Sequence, residues 1–480
     1  MVFSKFGRDV FVYGGIDLLF RSLQFLVLPI YAFQLSVAEF GLLALLQVTC
    51  GLLGMALNMG VNNAVQRFYF DQTTEQGQRA AVVSSGLAQL LFSTVLGVAI
   101  IFATAYVVWS RLEPPFELPW IYLSIALLTI VPEQVAQYSL DVSRLQFAPL
   151  RFFAIAVMKN VVGVLLGLTF LVLFDLGVRG ILLGTLMAAL LAAPIGLWMI
   201  RSDLTLCIDR AVALKIRRFG VPFVLVGAAY WIFGSIDRWM LAAMSDIEQV
   251  GLLSIGLKLA AIPTFAIAAF GQAWSPFAYK LAATQPGYQQ LFAQILSSWF
   301  FVLALMALAL SLFAREIMTL LFPETYLSAS PIFSVAVCGI ALYGTTLITA
   351  LGVTITKRTM FLSHAAWIAA FVNIGANLLL IPLLGGLGAA IATLISYSVL
   401  TIALFYWSQK LHPLPIEWGK IGYSCALLVA ALVASALNGG EMGTFATMIK
   451  LLAIILALAG GFAIAIISPM LFRELKQRMP

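Results

Sequence analysis

The stretch FVYGGIDLLFRSLQFLVLPIYAF, residues 11–33, decides how the rest of the chain is read. It is long and apolar enough to cross a bilayer, whose hydrocarbon core takes about 20 residues of helix, yet it carries Asp17 and Arg21 in its inner half. At helical spacing Tyr13, Asp17, Arg21 and Gln24 share one face, and the rest of the surface is Leu, Phe, Val and Ile. With a rise of about 1.5 Å per residue, Arg21 lies roughly 15 Å from the helix start. That is near the midplane, where a charge facing lipid costs several kcal/mol. The polar face is therefore predicted to turn toward the interior of a helix bundle. Asp17 and Arg21, four residues apart, are also spaced to neutralise each other, and this is compatible with the functional role expected of intramembrane charge.

The whole composition agrees. The 480 residues are 62% hydrophobic and only 10% charged, with a mean hydropathy of +1.04, whereas soluble domains are about 25% charged. The chain reads as an all-α, multi-pass membrane protein. Cys50, Cys207, Cys338 and Cys425 are far apart and form no CxxC, and His364 and His412 are isolated, so neither a disulfide framework nor a metal site is predicted. The first helix, charged and followed at once by further spans, reads as a retained anchor and not a cleaved signal. No phosphate-binding GxxxxGK[ST] occurs, so the chain is not expected to hydrolyse ATP by itself. No cofactor and no nucleic-acid partner are expected.

Apolar runs of about 20 residues place fourteen spans, among them 11–33, 40–62, 119–140, 152–174, 219–244, 249–274, 361–382, 387–407, 420–437 and 445–469. With the amino terminus inside, the cytoplasmic connections hold 19 Lys and Arg and the opposite side 3. The positive-inside rule then predicts both termini in the cytoplasm. Arg21, Lys159, Arg238, Lys258 and Lys450 remain within spans.

Several spans carry polar stripes. In the second, Gln47, Gly51, Gly54, Asn58 and Asn62 recur every three or four residues, as cavity lining or as close helix packing. In the fourth, Pro132 interrupts the apolar run, and Glu133, Gln137 and Asp141 follow at four-residue steps, so Glu133 either lines a vestibule or sits in water at a helix end. Lys159 is expected to snorkel. Asp237 and Arg238 read as a solvated pair at the outer boundary. Lys258 lies inside the eighth span, on one stripe with Ser254, Phe265 and Gln272. Tyr343 and Thr346 in the tenth span, and Trp367, Asn373 and Asn377 in the eleventh, fit either sugar contacts or polar interhelical packing.

A first helix ending in Leu28-Pro29-Ile30-Tyr31, the turn Leu35-Ser36 to Glu39-Phe40-Gly41, and the exit Gly60 to Ala64, Arg67, Phe68 and Tyr69 resemble the polysaccharide-biosynthesis flippases. These are the Wzx-like branch of the multidrug/oligosaccharidyl-lipid/polysaccharide (MOP, MATE-like) exporter superfamily. The resemblance rests on residues 6–71 and, through the fourteen-span plan, on the rest of the chain. It implies two six-helix lobes around a central cavity, plus two C-terminal helices that extend a groove for a polyprenyl tail. It also implies alternating access for a lipid-linked oligosaccharide in a bacterial inner membrane, with membrane lipid, a polysaccharide polymerase and a chain-length regulator as partners. The lipid II branch carries more basic residues on the first helix than the single Arg21 here, which disfavours lipid II as cargo.

The sequence supports two lobes independently. Phe6-Gly7 and Gly14 are echoed by Phe219-Gly220 and Gly227, and residues 39–44 (EFGLLA) by 249–254 (QVGLLS), at offsets of 213 and 210. Spans that repeat after six give lobes of like orientation. The expected domains are an N-lobe over 1–200, a cytoplasmic linker over 201–218, a C-lobe over 219–407 and a C-terminal helix pair with a basic tail over 408–480.

From the sign of the intramembrane charge, Arg21 and Lys258 are the expected diphosphate-binding residues. Asp17 would hold Arg21 in the empty protein, and Asp17 and Glu133 are the carboxylates able to couple H+ or Na+. Gln24, Gln47, Asn58, Tyr343, Asn373 and Asn377 are the cavity-lining candidates. Two other readings stay open: a multidrug or cation antiporter of the same superfamily, and a membrane enzyme that polymerises or ligates lipid-linked sugars. Against the enzyme, the longest outward connection offers only Arg315, Glu316 and Glu324.

Overall fold

A computed structural model describes residues 2–70, 76–111, 118–205, 208–437 and 443–466, with backbone alone at 2–13, 17, 21, 76–78, 226, 437 and 444. Every regular element among the described residues is helical. The chain runs through α1 (Val2–Gln34), α2 (Val37–Asn58), α3 (Val61–Tyr69), α4 (Gln76–Arg111) and α5 (Trp120–Leu145). It continues through α6 (Pro149–Ala156), α7 (Val162–Leu168), α8 (Gly177–Met199), α9 (Arg210–Met244), α10 (Ile247–Ala260) and α11 (Ile262–Thr284). The later elements are α12 (Tyr288–Leu312), α13 (Ala314–Leu321), α14 (Ser330–Gly344), α15 (Thr346–Thr349), α16 (Leu351–Ile355), α17 (Met360–Leu411), α18 (Trp418–Leu437) and α19 (Thr444–Ala463).

Among the described residues eleven helices are long and apolar enough to cross a membrane, or twelve when the bent pair α10–α11 is one span. The expectation of fourteen is compatible with this. α17 has 52 residues, too many for one pass, and is broken at Gly385 (φ 54°, ψ −131°). α5, interrupted by the charged and amide side chains of Glu133, Gln134, Gln137, Asp141 and Arg144, has 26 residues, enough to cross.

The sequence echo at 39 and 249 has a structural cause. Ser36 caps α2: its hydroxyl accepts from the Glu39 N–H at 3.2 Å, while the Ser36 N–H donates to the Glu39 carboxylate at 2.9 Å. Such a reciprocal capping box satisfies two otherwise orphaned donors. Asp246 caps α10 with the first of these two bonds, its carboxylate accepting from the Gln249 N–H at 2.7 Å. Each third helical residue then lies close to a left-handed glycine further along its own half. Glu39 Oε1 would lie 3.4 Å from a Cβ at Gly177 (φ +53°), and Gln249 Oε1 accepts from the Gly386 N–H at 3.0 Å, next to Gly385. Only glycine adopts that backbone without strain.

The chain divides into two compact units, 1–231 and 232–480, with the boundary inside α9. In the first unit the core forms where α3, α4 and α5 meet, around Val65, Val83, Leu90, Tyr138 and Val142. Gly60 (φ +68°) lets α9 approach: a Cβ there would lie 2.2 Å from the Gly220 carbonyl oxygen. In the second unit Trp274, Phe292, Leu296 and Ile348 form a core, with Phe270 stacked on Trp299 at 4.0 Å between centroids. The indoles of Trp231 and Trp274 are also packed inside their units, donating to the carbonyls of Val48 (3.1 Å) and Leu347 (3.3 Å).

Candidate functional site

In the first unit a cavity of about 350 Å³ lies among α2, α5 and α8. Gln47 and Gly51 of α2, Thr129, Glu133 and Gln134 of α5, and Thr185 of α8 line it, with leucines closing the walls. Glu133 therefore faces a cavity from the middle of α5. Gln134, Thr129 and Thr185 were not anticipated. Gln134 is one residue out of step with the Glu133, Gln137 and Asp141 series, and the threonines carry no signal apart from their place in apolar runs.

Lys159 does not snorkel. It sits in a π-helical segment (Val157–Val161) between α6 and α7, where the widened turn re-aims side chains. Its ammonium lies 2.7 Å from Glu133 Oε1 and donates to Gln137 Oε1 at 2.9 Å, with 15% of the side chain exposed. The contacts continue: Gln137 donates to Asp141 Oδ1 at 3.2 Å and Asn62 to Asp141 Oδ2 at 2.6 Å. Asn58 donates to Asn62 Oδ1 at 3.1 Å and to Gln134 Oε1 at 3.0 Å. Side chains from α2, α3, α5 and the π segment thus make one polar network running from the cavity to the end of α5, where Asp141 meets Arg144 at 3.8 Å. Gln24 is exposed on α1. The side chains of Asp17 and Arg21 lie outside the described residues, and so does the pairing expected between them.

The second unit holds a different kind of cluster. Asp237 and Arg238 are not solvated: their side chains are 2% and 13% exposed. The Arg238 guanidinium bonds Asp237 Oδ1 at 3.1 Å and the Gly234 carbonyl at 3.0 Å, and the Arg238 N–H donates to the same carboxylate at 2.8 Å. A carboxylate taken out of water needs such multiple donors. Lys258, at the end of α10, lies within electrostatic range of Arg238. Tyr397 lies within range of Asp237, Arg238 and Tyr343, its ring 5.1 Å from that of Tyr343 and 6.0 Å from that of Phe233. Of the three side chains Asp237, Arg238 and Lys258, two are cationic and one is a carboxylate.

Lys258 does not share a continuous stripe with Phe265 and Gln272. α10 and α11 meet at a 40° bend at Ala261, because Pro263 has no N–H to give and its ring excludes the carbonyl four residues back. Asn373 and Asn377 are fully buried, and the Asn377 side-chain amide donates a hydrogen bond to Asn373 Oδ1 at 2.9 Å. Lys450 of α19 pairs with Glu316 of α13, both side chains largely buried. His364 packs near the rings of Phe361 and Trp407. Among the described residues no group of three His, Cys, Asp or Glu is arranged to hold a metal ion.

Comparison with known proteins places this architecture. The family model described as "Polysaccharide biosynthesis protein" matches residues 6–282, and the one described as "Lipid II flippase MurJ" matches residues 249–456. No curated protein sequence matches the chain significantly. Among solved structures, the lipid II flippase MurJ in an inward closed conformation aligns with a TM-score of 0.71 at 14% identity, over 98% of this chain and 98% of that one. An inward-facing multidrug resistance MATE family transporter of the MOP superfamily aligns with a TM-score of 0.63 at 15% identity, over 82% and 94%. A MOP superfamily transporter from Pyrococcus furiosus, described as having a binding pocket of reverse polarity, aligns at 0.54 and 16% identity, over 85% and 94%. At these identities the likeness establishes the fold. The fold is thus that of the MurJ and MATE transporters, and the chain, matched over more than half its length, belongs to the polysaccharide biosynthesis protein family.

Proposed function

We propose that the protein is a flippase that moves a polyprenyl-diphosphate-linked oligosaccharide from the inner to the outer leaflet of a bacterial inner membrane. It would do so by alternating access, with both termini cytoplasmic, and would feed synthesis of an O-antigen, capsule or exopolysaccharide. Family membership supports the transporter reading. The observation that carries the choice of an anionic cargo is the excess of cations, Arg238 and Lys258 against Asp237, in the buried cluster of the second unit. Lys258 and Arg21 are the residues proposed to hold the diphosphate, since guanidinium and ammonium groups bind phosphate oxygens by charge-assisted hydrogen bonds. Asp17 would release Arg21 to the diphosphate, so that no buried cation is left unpaired. The lobes proposed for this cycle are 1–200 and 219–407, joined by the linker 201–218 and followed by the helix pair of 408–480.

No nucleotide is required by the energetics. With the cell interior negative, each negative charge moved outward gains about 2.3 kcal/mol per 100 mV, so a diphosphate of about two charges gains roughly 4–5. H+ or Na+ coupling through Glu133 or Asp17 would add to this.

Mass spectrometry of lipids from cells depleted of the protein tests the reading. Accumulation of a complete polyprenyl-diphosphate oligosaccharide is expected, reversed by the wild-type gene and not by Arg21→Ala or Lys258→Ala chains present at normal levels. An unchanged lipid pool accompanied by new sensitivity to cationic drugs would overturn it in favour of an antiporter.

A further inference from the structure

The cavity of the first unit presents hydrogen-bond acceptors without net charge. The Thr129 hydroxyl donates to the Ile125 carbonyl at 2.7 Å and the Thr185 hydroxyl to the Ile181 carbonyl at 2.9 Å. With their protons committed to their own helices, both oxygens can only accept from a ligand. Gln134, fixed by the Asn58 amide at 3.0 Å, and Gln47 add amides that accept and donate. Glu133 is the only ionised group among the described lining residues, and Lys159 at 2.7 Å offsets its charge.

This combination discriminates between ligand classes. A diphosphate would meet a carboxylate, with the nearby ammonium already engaged. An organic cation would have to compete with Lys159 for Glu133. A sugar ring supplies several uncharged O–H donors for the threonine, glutamine and carboxylate oxygens, and its C–H faces can rest on the leucine walls. The volume of about 350 Å³ falls at the lower end of the roughly 300–1,000 Å³ typical of small-ligand sites, enough for about one or two rings. We propose that this cavity is a sugar pocket, in which Gln47, Glu133 and Gln134 hold an uncharged sugar residue of the cargo while its diphosphate is bound elsewhere. The inference rests on the flippase reading above and adds to it a site that selects the glycan.

Gly51 allows a direct test. It lines the cavity, and a Cβ built on it meets nothing within 4 Å, so Gly51→Leu fills the pocket without displacing backbone. Purified full-length protein in lipid nanodiscs is titrated with polyprenyl-diphosphate oligosaccharide extracted from the depleted cells, and separately with bare polyprenyl diphosphate. Gly51→Leu is expected to weaken binding of the glycan-bearing lipid at least tenfold and to leave the bare lipid unchanged, with the thermal midpoint within a few degrees of wild type. Gln47→Leu, which keeps the volume and removes the amide, is expected to weaken the glycan-bearing lipid alone, by a smaller factor. Equal losses for both lipids, or no loss for either, overturn the pocket. So does a tetraphenylphosphonium cation that binds the wild type and is lost in Gly51→Leu. If the wild type binds neither lipid, the flippase reading itself fails; if it binds both and only the glycan preference is absent, the pocket alone fails.

Discussion

The two units each carry buried polar chemistry, and they solve its cost in opposite ways. In the first, Glu133, Lys159, Gln137, Asp141, Asn62, Asn58 and Gln134 pass contacts from one to the next, with Gln137 between the Glu133–Lys159 pair and Asp141. Glu133 keeps 37% of its side chain exposed to the cavity. In the second, Asp237 is almost wholly enclosed and is satisfied at short range by the guanidinium and the N–H of the next residue. A distributed network with water access can lose one member and rearrange. A sealed pair cannot, because removing one partner leaves an unpaired charge in a low-dielectric interior. The first arrangement suits a site that exchanges ligands, and the second suits a fixed Asp237–Arg238 pair near Lys258.

The sharpest way to break this contrast is Asp237→Ala. It leaves the Arg238 guanidinium enclosed without its carboxylate, and a loss of about 3–5 kcal/mol is expected. The check is thermal unfolding in detergent together with protein yield. A variant as stable as wild type would show that the cluster is solvated in the membrane and the contrast false.

Asn377→Leu should come next. It removes the donor to Asn373 Oδ1 within a fully buried pair, and an orphaned buried amide costs about 1–3 kcal/mol. The double replacement of both asparagines by leucine should recover part of that loss, read from the same melts.

Glu133→Gln in the first unit is expected to cost no more than about 1 kcal/mol, because the amide keeps an acceptor beside Lys159 and the position is open to water. A double-mutant cycle over Glu133 and Lys159 should accordingly give a smaller coupling than one over Asp237 and Arg238. Equal couplings would erase the distinction between the units.

The smallest effect is expected for Asn58→Ala. It withdraws one amide from a network with other routes and should cost about 0.5–1.5 kcal/mol, measurable as a modest shift of the unfolding midpoint. A larger loss would mean that the network acts as a single cooperative unit.

Much of this was legible in the residues themselves. The near absence of charge and the run lengths announce a multi-pass helical membrane protein, because lipid cannot satisfy exposed backbone and long apolar helices are the simple solution. The likeness of residues 39–44 to 249–254 was visible as an echo because it is local in the chain, whereas the caps Ser36 and Asp246 that explain it emerged from the structure. Gln47 and Glu133 were picked out because an amide or a carboxylate in an apolar run has few other reasons to be there. What the sequence could not give was partnership. Lys159 looked like a snorkelling end residue because helical periodicity assumes regular turns, and the π segment at Val157–Val161 changes where that side chain points. Asp237 and Arg238 looked solvated because span boundaries mark depth along a helix and say nothing about what packs against it. The bend at Ala261 turned an apparent stripe on one helix into two faces.

The sequence by itself therefore determined the class and the family, since each depends on composition and short-range spacing. Only the tertiary structure decided that Glu133 meets Lys159 across 26 positions of chain, that Asp237 is sealed, and that three helices line one cavity rich in hydrogen-bond acceptors. Those outcomes depend on which faces of distant helices touch, and helix packing fixes that through shape and the need to pair every buried charge.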